Sequence, residues 1–188
     1  MSDDVRIRRE LRPGDLGAIV SFHGRVYGPE YGVDHRFEAF VASSVAEAGR
    51  RGFPGEREAV WIVERDGELA GCLGLTDDGD AGVVRWFVLD PSVRGRGLGR
   101  RLLGELLDRA RELGYERLRL ETFSELRTAA HLYRSVGFEL TEERTEPLWG
   151  RDAITFQHYE LELEAEAGYW ARDVGGERRA GAPRLRAV

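Results

Sequence analysis

The sequence of 188 residues predicts an α/β fold (α+β): a mixed, mostly antiparallel central sheet of about seven strands, flanked by about four helices. Two observations favour this class. Three short apolar segments follow one another with turn residues between them, which is typical of an antiparallel meander. Two segments with helical periodicity then alternate with further strands, which indicates crossover connections and therefore a mixed sheet.

The first quarter of the chain predicts one strand and two helices. Val5–Arg12 is expected to form the strand, and Asp15 is expected to cap a helix that runs to about Tyr27. Gly28 and Pro29 should break that helix, because proline lacks the N–H group that a helix needs. Asp34 should cap a second helix through Ala48, whose apolar face consists of Phe37, Phe40, Val41 and Val45.

The rest of the chain predicts six strands and two helices. Asp66-Gly67 is a hairpin signal between the first two of these strands. The clearest helix is Leu98–Leu113, because its leucines form one wide stripe and Gly114 follows it. A shorter helix is expected at about Thr128–Ser135. The strands are expected at Ala59–Glu64, Leu69–Leu75, Val83–Leu89, Leu118–Glu121, Phe138–Thr145 and Ile154–Leu163.

The length and periodicity predict one domain and a tail. Residues 1–164 are expected to form the domain, since this length can bury a sizeable core. The pattern fails from about Glu164, so residues 165–188 are expected to form a loose tail. Tyr169 and Trp170 in that tail are large aromatic residues, which could dock on the domain or on a partner.

Composition excludes several classes of protein. The net charge of -6 disfavours nucleic-acid binding, which needs a basic footprint. The single cysteine excludes an intrachain disulfide, and its place within an apolar strand favours a buried structural thiol at Cys72 over a nucleophile. Neither a signal peptide nor the roughly 18 apolar residues of a membrane span is visible. We therefore expect a cytoplasmic protein without a membrane partner.

The turn between strand Val83–Leu89 and helix Leu98–Leu113 is the most informative segment. Its glycines allow close approach of a ligand to the main chain, its arginines add positive potential, and a helix N-terminus attracts anions. Together these features predict a phosphate or pyrophosphate site. A P-loop is excluded because no G-x-x-x-x-G-K-[ST] string occurs, and the G-x-G-x-x-G fingerprint fails because Arg100 occupies its third glycine position.

Two motifs here resemble those of the GCN5-related N-acetyltransferase (GNAT) superfamily. The first, R/Q-x-x-G-x-G/A at a strand-to-helix junction, is matched by Arg94, Gly97 and Gly99. The second, A-x-x-L-Y-x-x-x-G-F, is matched by Ala129, Leu132, Tyr133, Gly137 and Phe138. The resemblance covers roughly residues 5–163. It implies acetyl transfer from acetyl-CoA, a cosubstrate, to a primary amine of a small molecule or protein.

The resemblance also implies how the thioester is bound. The strands at Val83–Leu89 and Leu118–Glu121 should splay apart and seat pantetheine in the gap, with an N–H near Val88 or Leu89 stabilising the oxyanion. Main-chain N–H groups of the glycine-rich turn should hold the pyrophosphate. The cofactor-binding residues are then expected to be Phe87, Val88, Leu89, Arg94, Gly95, Arg96, Gly97, Leu98, Gly99, Arg100 and Tyr133.

Three residues are catalytic candidates. Tyr133 matches the family's usual general acid, and the alternative is a core tyrosine with a satisfied hydroxyl. Glu121, at the end of its strand, is the first candidate for the base and Glu30 the second; either could instead be a solvated or amine-binding carboxylate. Arg85 is either directed into the site, toward a substrate carboxylate, or exposed on the surface. The four histidines are scattered without metal-ligand spacing, so no metal is expected.

This chain departs from the family pattern at one position. Family members often carry Asn about seven residues before the motif tyrosine, where this chain has Leu126, so Ser124 or Glu125 could supply the cofactor contact. A non-catalytic module that binds acyl-CoA therefore stays an alternative to an enzyme. A third alternative, nucleic-acid binding through the arginines, is disfavoured by the overall charge.

A narrower resemblance is to bacterial GNAT domains that often follow a MarR-type helix-turn-helix domain. It is carried by His23-Gly24, Tyr27, Glu30-Tyr31-Gly32, Trp149-Gly150 and Gln157. The chain resembles a free-standing version, in which Pro147-Leu148 replaces the subfamily's His pair. The superfamily also suggests a homodimer.

Overall fold

The computed structural model describes residues 5–163, which form one seven-stranded sheet with helices on both faces. The predicted tail, with Tyr169 and Trp170, lies outside the described residues. The helices are α1 (Asp15–Tyr31), α2 (His35–Arg50), α3 (Leu98–Glu112) and α4 (Arg127–Ser135). The strands are β1 (Val5–Arg8), β2 (Ala59–Arg65), β3 (Glu68–Asp77), β4 (Gly82–Leu89), β5 (Arg117–Phe123), β6 (Glu139–Leu148) and β7 (Arg151–Glu162).

The sheet has the strand order β1-β2-β3-β4-β5-β7-β6, and the pair β4–β5 is parallel while the other pairs are antiparallel. The α3 crossover between β4 and β5 makes their parallel pairing possible, since a hairpin can join only antiparallel strands. The predicted fold class and the predicted order of elements are confirmed. None of the helices among residues 5–163 has the length and apolar character needed to cross a bilayer.

Each face of the sheet buries its own core. One, which we call the α3/α4 core, contains the leucine stripe of α3 together with Tyr133 and Tyr159. The other, the α1/α2 core, contains the apolar faces of α1 and α2 together with Trp86, Phe123 and Trp149. Side chains alternate between the faces of a strand, so neighbouring residues of β5 enter different cores.

Three local predictions about the first helix and strand were wrong, and one about the second helix was correct. Helix α1 continues through Pro29 to Tyr31, where its last turn packs against Phe123 with ring centroids 5.4 Å apart. Asp15 does not cap α1; its carboxylate accepts two hydrogen bonds from Arg8, and β1 ends at that arginine rather than at Arg12. Tertiary contacts thus override the local signals.

Asp34 does cap α2, accepting from the Arg36 N–H at 2.9 Å.

Strands β4 and β5 pair over only part of their length. Their register runs from Gly82 opposite Leu118 to Val84 opposite Leu120. Beyond Leu120, β5 pairs on its other side with β7 through Phe123, while β4 continues to Leu89 beside β3. The two strands therefore separate after Val84, as the resemblance predicts, and the β5-facing main chain of β4 lacks a strand partner there.

A bulge in β4 accompanies this separation. The register with β3 shifts between Cys72 and Gly74, and Trp86 has a φ angle of 51°. Val84 lies in the α3/α4 core, whereas Trp86 and Val88 lie in the α1/α2 core, so the bulge changes the face to which even-numbered side chains point. The Trp86 ring then covers Gly74, where a Cβ atom would lie 2.7 Å from the indole.

Cys72 is a structural thiol, as predicted. It is 1% exposed in the α1/α2 core, and its Sγ donates to the Trp86 carbonyl at 3.1 Å. Burial raises the pKa of this thiol, which keeps it protonated at neutral pH. A nucleophilic role for Cys72 is therefore excluded.

Candidate active site

Two hollows meet where β4 and β5 separate. The outer cleft, about 400 Å³ in volume, lies between the end of β4, the glycine-rich turn and the start of α4. The inner pocket, about 120 Å³, lies between the sheet, α1 and α2. The walls of both include Tyr27, Phe87, Leu126 and Ala129, so the two hollows adjoin through the gap in the sheet.

The glycine-rich turn presents main-chain donors to the outer cleft. Gly95 and Gly97 have φ angles of 76° and 78°, a region that residues with a Cβ atom rarely adopt. Gly97 is the N-cap of α3, and no side chain caps the helix. The first N–H groups of α3 therefore stay free for an anion, and the helix dipole favours negative charge there.

Most of the predicted cofactor residues line the outer cleft. The residues that do so are Phe87, Val88, Leu89, Arg94, Gly95, Gly97, Gly99 and Arg100. Arg96 and Leu98 instead line a separate groove beside Val5 and Ile7 of β1. Their side chains therefore face away from the cleft, and only their main-chain groups belong to the turn. Tyr133 lies in the wall of the inner pocket.

Arg94 fixes the turn to two other elements. Its Nε donates to the Leu89 carbonyl at 2.8 Å, and its two terminal nitrogens each lie 3.0 Å from a carboxylate oxygen of Glu30. Glu30 lines an outer groove beside Pro91 and does not line the inner pocket. The structure thus separates Glu30 from Tyr133 and Glu121 and gives its carboxylate a partner in Arg94.

Tyr133 and Glu121 reach the gap in the sheet from opposite faces. Tyr133 lies on α4 in the α3/α4 core, where burial raises the pKa of its hydroxyl and keeps it protonated at neutral pH. Glu121 follows Leu120, which points into that core, so its side chain projects from the other face. Both residues line the inner pocket. The carboxylate of Glu121 lies 3.3 Å from Nε2 of His158, on the neighbouring strand β7.

Aromatic rings form most of the inner pocket's wall. Tyr27 and Phe37 stack with centroids 5.0 Å apart, and Phe37 meets Trp149 edge-on at 4.8 Å. Trp149, which has a φ angle of 51°, and Gly150 form the β6–β7 turn. This turn is held against α2 because the Asp34 N–H donates to the Trp149 carbonyl at 2.9 Å.

The position that departs from the family pattern is apolar in the structure as well. Leu126 packs against the α1/α2 core and lies in the walls of both hollows. Glu125 lines the outer cleft, but its carboxylate lies 2.8 Å from Arg151. The Ser124 hydroxyl donates to Glu125 at 3.3 Å. Glu125 is thus the better placed of the two predicted substitutes, and it already has a cationic partner.

Sequence reasoning missed several residues of both hollows. The outer cleft also contains Tyr31, Arg127, Thr128 and His131, and the inner pocket contains Phe40, Ser44, Thr122 and Phe156. The second motif carried a signal for Thr128 and His131, because it marks the start of α4. The aromatic face of α2 was a weaker signal for Phe40, since such a face also fits an ordinary core. Among residues 5–163, no group of three or more His, Cys, Asp or Glu side chains could hold a metal.

His23, in the wall of the inner pocket, is expected to make stability depend on pH. It is 4% exposed, its Nδ1 lies 2.8 Å from the Ile19 carbonyl, and burial lowers its pKa to about 4. The unfolded chain takes up the proton near pH 6.5. His23 therefore lowers the free energy of unfolding as pH falls from 6.5 to 4, by up to roughly 3 kcal/mol, and has no such effect above that window.

Urea denaturation between pH 4 and 8 measures this effect. We expect His23→Leu to have a flatter stability profile than the parent, and His35→Gln, at an exposed histidine, to keep the parental profile. Parallel profiles for the parent and His23→Leu would exclude His23 as the source.

Comparisons with known proteins agree with this geometry. Residues 27–138 match the model of the Acetyltransferase (GNAT) family. The chain is 30% identical to the L-amino acid N-acyltransferase MnaT of Escherichia coli over 71% of this chain and 76% of MnaT. It is 35% identical to the uncharacterized N-acetyltransferase YjgM of E. coli, over 43% of this chain and 51% of YjgM, so this match spans about half of that relative.

Solved structures show the same fold. yncA of Salmonella typhimurium, solved with its cofactor acetyl-CoA, superimposes with a TM-score of 0.64 at 23% identity, covering 88% of this chain and 97% of yncA. The E. coli ribosomal-protein-S18-alanine N-acetyltransferase gives a TM-score of 0.60 at 25% identity, with 88% and 99% coverage. The family model covers more than half of the chain, and the strand separation, the glycine-rich turn and the fold are consistent with it. This chain belongs to the Acetyltransferase (GNAT) family.

Proposed function

We propose that this protein transfers an acetyl group directly from acetyl-CoA to a primary amine of a small molecule or protein. The observation that carries the proposal is the gap between β4 and β5, which joins an anion-binding turn to a pocket with a candidate acid and base. Membership of the family supports it, as do relatives that are named N-acetyltransferases.

The residues of the outer cleft fit acetyl-CoA. The free N–H groups at the start of α3 would hold the diphosphate, and the unpaired edge of β4 would bind the pantetheine amides as an added strand does. Gly99 leaves room for the pantetheine chain of the cofactor, because it has no side chain. A Cβ atom there would point toward Leu132, Leu89 and Phe87 at 3.5–3.8 Å. When bound, acetyl-CoA supplies an activated acyl carbonyl carbon.

Two side chains would then move the protons. Glu121 accepts the proton that the attacking amine loses as the N–C bond forms, and His158 holds the Glu121 carboxylate at the pocket. Tyr133, protonated at neutral pH, donates its proton to the sulfur as the C–S bond breaks. A main-chain N–H of Val88 or Leu89 would stabilise negative charge on the acyl oxygen.

Calorimetry with acetyl-CoA, followed by a thiol-release assay with a panel of primary amines, tests the proposal. We expect micromolar binding and amine-dependent release of CoA. Binding without release for any amine would contradict the transferase and support the alternative, a regulatory module that binds acyl-CoA. Absence of binding would contradict both functions.

The finer expectations stay predictions. They are the homodimer, the cytoplasmic location and the bacterial, MarR-related subgroup. Two residues that carry the subgroup resemblance, Tyr27 and Trp149, line the inner pocket, where an acceptor would contact them.

A further inference from the structure

Arg85 and Glu121 occupy equivalent positions on two neighbouring strands. The last β4–β5 pair is Val84 opposite Leu120, and each of the two charged residues directly follows a member of that pair. Leu120 points into the α3/α4 core, so Glu121 projects toward α1 and α2. Arg85 lies between Val84 and the bulge residue Trp86. Both charged residues stand at the mouth of the gap, in the wall of the inner pocket.

The two charges do not neutralise each other. Glu121 lies 3.3 Å from His158. Arg85 is exposed and forms neither a hydrogen bond nor an ion pair with any residue from 5 to 163. The pocket therefore offers one unpartnered guanidinium beside one carboxylate, an arrangement that complements a ligand carrying both an amine and a carboxylate.

The remaining wall restricts the rest of the ligand. Phe37, Trp149 and Phe156 surround the space, and His23 is held neutral by burial. Such walls favour an apolar group. The volume of about 120 Å³ is well below the 300 Å³ or more of pockets for drug-sized ligands. The part of the acceptor that enters this pocket must therefore be small.

We infer that the acceptor is a free α-amino acid with an apolar side chain, its carboxylate bound by Arg85 and its amine directed to Glu121. The inference rests on the proposed transferase function. The amine nitrogen bonds to the acetyl carbon and loses a proton to Glu121, while the C–S bond breaks and the sulfur takes the proton of Tyr133. The products are an N-acetyl amino acid and CoA, and solvent returns the proton from Glu121 to Tyr133.

Steady-state kinetics with leucine, leucinamide and 3-methylbutylamine test the inference, because these three acceptors share one side chain and only leucine has a carboxylate. We expect the highest kcat/KM for leucine. Arg85→Gln should lower that value by about 10- to 100-fold, mainly through KM, which is the factor for a charged hydrogen bond. The loss for the two other acceptors should be at least ten times smaller.

Arg6→Gln is the matched control, since Arg6 is an exposed strand arginine that lines neither hollow. Equal losses for all three acceptors in Arg85→Gln, or a parent enzyme that prefers leucinamide or 3-methylbutylamine to leucine, would overturn the inference. In those outcomes CoA is still released, so the transferase function stands. If no amine releases CoA, the transferase function itself fails.

Discussion

Tyr133→Phe is expected to reduce kcat by about 10²- to 10⁴-fold, the range for loss of a general acid. The substitution removes only the hydroxyl, so the ring keeps its contacts with Phe138 at 5.9 Å and Tyr159 at 6.2 Å. The fold and the affinity for acetyl-CoA should therefore change little. Thiol release at saturating acetyl-CoA and amine measures kcat, and calorimetry measures the affinity.

Tyr115→Phe is the control for this variant. Tyr115 is also a buried tyrosine of the α3/α4 core, but its hydroxyl donates to the Arg57 carbonyl at 2.8 Å, away from both hollows. We expect it to keep the parental kcat. A Tyr133→Phe variant that also kept the parental kcat would show that another group protonates the sulfur.

Gly99→Val should weaken acetyl-CoA binding by about 10- to 100-fold, which corresponds to roughly 1.4–2.8 kcal/mol. The sequence motif accepts glycine or alanine at this position, so a side chain larger than a methyl group is needed to fill the outer cleft. A Cβ atom there would lie 3.5–3.8 Å from Leu132, Leu89 and Phe87, and the two methyl groups beyond it would extend into the cleft. Gly99 lacks the positive φ angle of Gly97, so its main chain can carry a side chain without strain. Calorimetry with acetyl-CoA and thermal unfolding of the free protein measure both effects.

Gly104→Val is the control, because it adds the same side chain to the same helix outside the outer cleft. A Cβ atom at Gly104 would meet nothing within 4 Å. We expect it to change the free energy of unfolding by less than about 1 kcal/mol, the range of helix propensity between glycine and other residues, and to leave the affinity for acetyl-CoA unchanged. Equal affinities in the two variants would mean that the ligand does not pass beside Gly99.

Most of the fold could be predicted because its signals are local. The leucine period of α3 and the Asp66-Gly67 turn each lie within a few residues, and they agree with the final structure. The errors occurred where distant residues compete with local signals. Pro29 stays helical beside the packed Tyr31 ring, and Asp15 binds Arg8 instead of capping its helix.

In the candidate site, too, the features within one short segment could be predicted, and those that need distant residues could not. The glycine-rich turn at the start of α3 could be predicted, because one short segment supplies its glycines and its helix N-terminus. The partner of Arg94 could not, because Glu30 lies 64 residues away along the chain. The rings that wall the inner pocket come from α1, α2, β5 and the β6–β7 turn, and only the folded chain brings them together.

The contact between Asp34 and the β6–β7 turn couples two segments that both border the inner pocket. A Cβ atom at Gly150 would lie 2.7 Å from the Asp34 carboxylate, so the start of α2 leaves room only for glycine at this position of the β6–β7 turn. We therefore expect a chimera that takes the α1–α2 region from another family member to fold better when it also takes that member's β6–β7 turn. Residues of both segments line the inner pocket, so we expect the two segments to change together when the proposed acceptor changes.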